Sequence, residues 1–305
     1  MSHPYHLRLD ARAMALMVLL CALWGVQQVA IKVAIESIPP LLQAGLRSVG
    51  AALLVWAWAR WRGITLFARD GSLRPGLLAG SLFAGEFALL YVGLQHTAAS
   101  RGVLFLYTAP FMVAAGAHWL LPGERLRPAQ VLGFAAAFSG VVLAFAGALR
   151  GAGGVTLLGD GLCLLAAAMW AATTLAIKGS VLHRVPPAKT LLYQLGISAA
   201  ALPILSWALG EDWPVRVDIE AALWMGYQTV VVAAASYLAW FWLVAHYPAG
   251  RLSAFSFLTP IFGLLAGVAL LAEPAPASLL AALALVSAGI FLVNRPVPRS
   301  ELAKA

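Results

Sequence analysis

One acid stands in the middle of an apolar run, Glu86 in LFAGEFALLY. A charge at mid-membrane depth costs roughly 2.5–3.5 kcal/mol, so such a group faces protein or water. A functional Glu86 attracts a substrate ammonium or carries a proton. A structural one sits protonated or hydrogen-bonded to a neighbouring helix. Other apolar runs carry polar and aromatic residues that suit an amphiphilic ligand: Trp24, Gln27 and Gln28, then Tyr91 and Tyr107, then Trp170, Thr173 and Thr174, then Tyr237 and Trp240, and finally Ser253 and Ser256. Aromatic walls with a few hydrogen-bonding groups bind such molecules, and ring faces suit an ammonium. No catalytic constellation accompanies them. There is no H-E-x-x-H, Ser/His pair or nucleotide-binding P-loop, so direct ATP drive is not expected. The GDG at Gly159–Gly161 resembles the motif of intramembrane aspartyl proteases. However, Asp160 lies at a helix start, where it serves as a cap, and no second intramembrane Asp stands ready to pair with it. Cys21 and Cys163 lie inside separate apolar runs and read as small buried hydrophobes, with no metal site.

These residues need a membrane to position them. Of the 305 residues, 62% are hydrophobic and 10% charged, with a mean hydropathy of +0.87. Soluble domains carry about 25% charged residues, so the surplus apolar surface must face lipid. Continuous runs near 20 residues mean helices rather than barrel strands. The chain reads as ten of them, at about 13–35, 40–59, 75–96, 101–121, 128–148, 158–179, 188–208, 220–243, 251–271 and 276–294. Of the 20 lysines and arginines, 15 fall on the side of the termini, so both termini are expected in the cytoplasm of a bacterial-type inner membrane. The formal charge of +8 is spread over many loops and is a topology signal rather than a nucleic-acid surface.

The chain also repeats itself. ALWGVQQVAIKVAIESIPP (22–40) returns as AMWAATTLAIKGSVLHRVPP (168–187), with Trp24 and Trp170, and Lys32 and Lys178, each 146 positions apart. His96, Arg101 and Pro110 meet His246, Arg251 and Pro260 at a spacing of 150. This predicts two five-helix halves, 1–150 and 151–305. An odd number of helices enters the membrane from opposite sides in its two copies, so the halves are inverted and suit alternating access. Lys32 and Lys178 would then be one device built for each face, with structural snorkelling the blander role.

Two such repeats resemble the drug/metabolite transporter superfamily, and within it the EamA-type permeases. The resemblance rests on LWG at 23–25 followed by Lys32, Arg47, TAPF at 108–111 leading to GERL at 123–126, and LTPIFG at 258–263 leading to Glu273. AEPAP at 272–276 departs from a second GERL-type element by lacking the Arg. The resemblance implies a ten-helix exporter with a cavity between helices 1–4 and 6–9, helices 5 and 10 peripheral, and aromatic amino-acid exporters of bacterial inner membranes as the nearest likeness. The expected substrate-binding residues are Trp24, Gln28, Glu86, Tyr91, Tyr107, Trp170, Thr174, Tyr237 and Trp240, with Pro110 and Pro260 as hinges. Arg47 is a pairing candidate with Glu36 nearby in sequence. Arg101 and Arg251 read as interfacial anchors, His96 and His246 as capping residues. Trp56, Trp58, Trp61, Trp207 and Trp213 read as an aromatic belt. The expected partners are a small metabolite, an amino acid first, and the lipid bilayer, with a monomer as the working unit and no cofactor. The alternative is a multidrug or quaternary-cation efflux carrier; an intramembrane enzyme is remote.

Overall fold

The computed structural model describes residues 9–97, 99–150, 157–212, 217–272, 275 and 277–295. Among them, nine helices are long and apolar enough to cross a membrane, and a shorter apolar helix follows. We number them α1 (Ala11–Ala34), α2 (Pro40–Trp61), α3 (Leu73–His96), α4 (Ala99–Leu106 and Ala109–Leu120), α5 (Pro128–Arg150), α6 (Leu157–Lys178), α7 (Pro187–Ala208), α8 (Ile219–His246), α9 (Ala249–Phe255 and Leu258–Leu271) and α10 (Leu279–Asn294). Asp10 starts α1 by accepting from the Ala13 N–H at 2.8 Å. Prolines occupy the first turns of α2, α5 and α7, where a missing N–H costs little. Large apolar side chains such as Leu53, Leu132, Ile204, Leu223 and Phe291 point outward, as lipid contact requires. Trp56, Trp58, Trp61 and Trp207 are exposed as a belt would be; Trp213 and Glu273 lie outside the described residues.

Small residues set the packing between the halves. A Cβ on Gly25 of α1 would lie 2.5 Å from Cβ of Phe262 on α9, so only glycine admits this approach. The repeated GLLAG stretches serve contacts inside the chain: Gly76 and Gly80 pack on Tyr193, and Gly263 on Gln28. α5 and α10 pack on each other, with Gly133 against the Gly289 carbonyl.

Both halves break their fourth helix at the same place. α4 stops at Leu106 and restarts at Ala109; α9 stops at Phe255 and restarts at Leu258. Pro110 and Pro260 sit in the first turn of each restarted segment, where the ring removes a backbone donor. The third helices differ. α3 is regular, whereas α8 runs 28 residues against 24 for α3 and winds as a π-helix from Tyr227 to Ser236. The wider π turn absorbs the extra residues. Tyr227 Oη donates to the Leu23 carbonyl (2.8 Å), and Ser236 Oγ to that of Val232 (2.6 Å).

The ends of the bundle are tied by acids. We call the end where α1 begins the terminal end and the opposite one the far end. At the terminal end, Lys189 Nζ donates to Asp70 Oδ2 at 2.8 Å and to the Ala68 carbonyl at 2.9 Å. At the far end, Glu211 accepts from the Leu41 and Leu42 N–H groups, at 3.0 and 3.1 Å. In each half, an acid beyond the second helix thus reaches the start of the other half's second helix. The Lys189 hydrogen bond, with help from Ser72, holds the Asp70 carboxyl down from 3.8 to about 2. A depressed carboxylate stabilises the fold above its unfolded value and loses that contribution as pH falls toward 2. Asp70→Asn is therefore expected to melt slightly below wild type at pH 7 and level with it near pH 2. A gap that persists unchanged to pH 2 in melting curves counts against this tie.

Candidate functional site

A cavity of about 190 Å³ lies between the halves. Its walls come from α1, α3, α4, α6, α7, α8 and α9. All nine expected binding residues line it: Trp24, Gln28, Glu86, Tyr91, Tyr107, Trp170, Thr174, Tyr237 and Trp240. They come together because each lies on the inward face of its helix near the middle of the bundle. Gln27 and Thr173 join them, but Ser253 and Ser256 do not; these are buried behind the wall at the α9 break.

Aromatic rings form the frame. Trp24 meets Tyr237 at 6.3 Å and Trp240 at 5.7 Å between centroids, both edge to face. Tyr107 meets Trp170 at 5.8 Å in the same manner. Such pairs hold ring orientation beyond what burial alone gives. Trp24 is fixed further by its Nε1–H, which donates to Ser236 Oγ at 2.9 Å. Ser236 is the repeat counterpart of Glu86, so the same position carries an anchor in one half and an acid in the other. Glu86 is 9% exposed and forms no ion pair with a described residue. Thr173 and Thr174 donate to carbonyls of their own helix, Met169 (2.9 Å) and Trp170 (3.2 Å), leaving oxygen lone pairs toward the cavity.

The two lysines are not one device. Lys178 is 8% exposed, and its Nζ donates to the Val244 carbonyl at 2.6 Å and the Tyr247 carbonyl at 2.7 Å. It pins α6 to the α8–α9 turn instead of snorkelling. Lys32 is exposed. Tyr247 Oη also donates to Asp10 Oδ2 (3.2 Å), and Glu124 accepts from the Ala249 and Gly250 N–H groups (3.0 and 3.2 Å) at the start of α9. The helix dipole favours an acid there. The halves are therefore tied together at the terminal end through Asp10 and Glu124.

Three other expectations change. Arg47 does not meet Glu36, which is exposed; its guanidinium lies 4.7 Å from the centroid of Phe87. Asp160 is no cap: it accepts from Thr97 Oγ1 at 2.7 Å and forms an ion pair with Arg101, tying α6 to the α3–α4 turn. Arg101 is thus a strut rather than an interfacial anchor. His246 does cap, its Nδ1 lying 2.7 Å from the Trp242 carbonyl. The residue reading passed over Gln194, Thr259, Phe83, Phe87 and Phe241, which also line the cavity. Gln194 carried a usable signal, because it follows Arg47 by 147 positions, the spacing of Pro40 and Pro187.

The model of the EamA-like transporter family matches residues 11–146 and again 157–295. The chain belongs to this family. It is 29% identical over 292 residues to a probable amino-acid metabolite efflux pump of Salmonella typhimurium, covering 91% of this chain and 93% of the relative. A protein of the same description from Escherichia coli is 28% identical, with 85% and 86% covered. A solved crystal structure superposes with a TM-score of 0.78 at 21% identity, covering 93% of this chain and 98% of the other. The EamA protein is thus a multi-pass membrane transporter with an all-α fold of ten helices in two inverted repeats.

Among the described residues, no group of three or more His, Cys, Asp or Glu side chains could hold a metal ion. Cys21 and Cys163 are both buried free thiols on different helices.

Proposed function

We propose that this EamA protein is a secondary carrier of the inner membrane that exports small amino acids and similar metabolites, aromatic and other neutral ones first, by alternating access. The observation that carries the reading is the convergence of polar and aromatic residues from both halves, with the acid Glu86 among them, on one cavity between the halves. The descriptions of the Salmonella and Escherichia coli relatives support the substrate class. The halves, 1–150 and 151–305, are the moving units, and the terminal end faces the cytoplasm because it carries most of the lysines and arginines. A ring-lined cavity holding one acid also suits quaternary cations, which makes multidrug efflux the competing reading.

Counterflow in proteoliposomes separates them. Vesicles loaded with unlabelled Phe, Trp, Met, Thr or Ala are expected to accumulate the labelled counterpart without an ion gradient. Folded protein that accumulates none of these, yet exchanges a quaternary ammonium dye, would reverse the order of the two readings.

The helix breaks at Pro110 and Pro260 are the hinges. Pro110→Ala or Pro260→Ala restores a donor and favours a continuous helix. Exchange is expected to slow about tenfold for a barrier raised by about 1.4 kcal/mol, with melting temperature unchanged. Unaltered exchange rates in both variants would remove the hinge role.

A further inference from the structure

Seven buried side-chain atoms on α2 and α7 have no hydrogen-bond partner among the described residues. They are Oε1 and Nε2 of Gln43, Nε and Nη1 of Arg47, Oε1 and Nε2 of Gln194, and Oγ of Ser198. Arg47 is 1% exposed and the other three are fully buried. Buried polar groups are normally bonded, and a charge at membrane depth normally has a partner. Seven orphans on one helix pair therefore mark a site whose partner is not the protein itself.

The helix register brings Arg47 toward Ser198 and Gln194, whereas Gln43 lies one turn of α2 further off, about 16 Å along the seam from Gln194. α2 and α7 run antiparallel, with Gly45 seated on Pro203. This places Arg47 and Ser198 about 5 Å apart along the seam, at a rise of about 1.5 Å per residue. The site adjoins the cavity. Gln194 lines it, and so does Phe87, whose ring carries the Arg47 guanidinium on its face. Arg47 is within electrostatic reach of Glu86, Tyr91 and Tyr237 but forms no ion pair with Glu86. The buried guanidinium is what selects an anion, with the free N–H of the Gln194 amide as a second donor, and charge-assisted bonds of this kind are the strong ones.

We infer that Arg47, with the amide of Gln194, is the subsite for the carboxylate of a zwitterionic substrate whose ammonium lies at Glu86. This deepens the amino-acid reading above and rests on it. The two charges stand on different helices, so the cavity measures both poles of one small molecule. Phe87 is the movable cover between Arg47 and the cavity. Amines without a carboxylate leave Arg47 unpaired and are the class this arrangement rejects.

The test is competition counterflow with L-phenylalanine and L-phenylalaninamide, which keeps the ring and the ammonium and replaces the carboxylate by a neutral amide. Any other amino acid that is carried is paired with its own amide. Wild type is expected to bind the amide about 30-fold more weakly, the lower range for removing one partner of a buried charge pair. Arg47→Gln is expected to weaken phenylalanine about 30-fold and leave the amide unchanged, with Arg47→Lys between. Equal handling of acid and amide by wild type overturns the subsite while leaving the amino-acid reading intact. So does an Arg47→Gln change that weakens both alike. If Arg47→Gln fails to fold, the wild-type comparison and Gln194→Leu decide alone. Folded wild type that carries no amino acid overturns the underlying reading, and the subsite with it.

Discussion

Lys178→Met is expected to open the terminal end and raise maleimide labelling of Cys21 about 100-fold. Lys178 Nζ holds the Val244 and Tyr247 carbonyls and so positions the α8–α9 turn, through which the second half bonds Asp10 and Glu124 of the first. A hydrogen bond to a charged group contributes about 1.5–3 kcal/mol, so losing two loosens that turn by about 3 kcal/mol or more and releases the cross-half bonds it carries. Cys21 reports this directly. It is fully buried one turn below Trp24, with its Sγ 3.2 Å from the Phe255 carbonyl at the α9 break. The chain has two cysteines, so Cys163→Ser leaves a single probe. Lys32→Met serves as the control, because Lys32 is exposed at the far end, and Cys21 should stay protected. Protection that survives Lys178→Met would mean that Glu124 at the start of α9 and the Tyr247–Asp10 bond close this end without it.

That experiment turns on a difference the residue pattern concealed. Lys32 and Lys178 are identical in type and in repeat position, so the pattern assigned them one role. Burial separates them: Lys178 is buried with its ammonium held by two carbonyls, and Lys32 is exposed. A repeat reports shared ancestry of position, not shared environment. The span limits and inverted halves were legible because lipid imposes length and hydropathy on every helix alike. The cavity residues were legible for a related reason. Polar and aromatic groups inside apolar runs have few places to go except an inner face.

What stayed hidden depends on contacts between distant segments. The π-helix of α8 follows from four more residues than α3 fitted into the same thickness, and nothing local in YQTVVVAAAS announces it. Glu36 suggests itself as a partner for Arg47 only because the two are neighbours along the sequence. In the fold Arg47 looks the other way, toward Phe87 and α7. Asp160 reads as a cap for the same reason, whereas its partners in the fold, Thr97 and Arg101, lie about 60 positions away.

Glu86→Gln is the change expected to act most strongly on substrate itself. The carboxyl stands near the middle of α3 at the wall of the cavity, which Phe83, Tyr237 and Trp240 also line, and forms no ion pair among the described residues. An arriving ammonium pairs directly with the carboxylate, which Arg47 reaches without forming an ion pair, and the pair forms in a site from which water is largely excluded. An amide has the same shape but presents only a dipole. Removing one member of a buried charge pair costs about 2–5 kcal/mol, so the affinity for any ammonium-bearing substrate should fall about 100-fold. Glu86→Asp keeps the charge and withdraws it by one methylene, so it should recover part of the loss. The structural alternative makes the opposite forecast. If Glu86 only bonds a neighbouring helix, the amide satisfies that bond, exchange is unchanged, and Glu86→Leu alone lowers the melting temperature. Half-saturating concentrations for phenylalanine and for a quaternary ammonium, measured on all three variants, decide between charge and scaffold. They also rank the two transport readings, since a cation carrier has no second pole to hold and must lose the most.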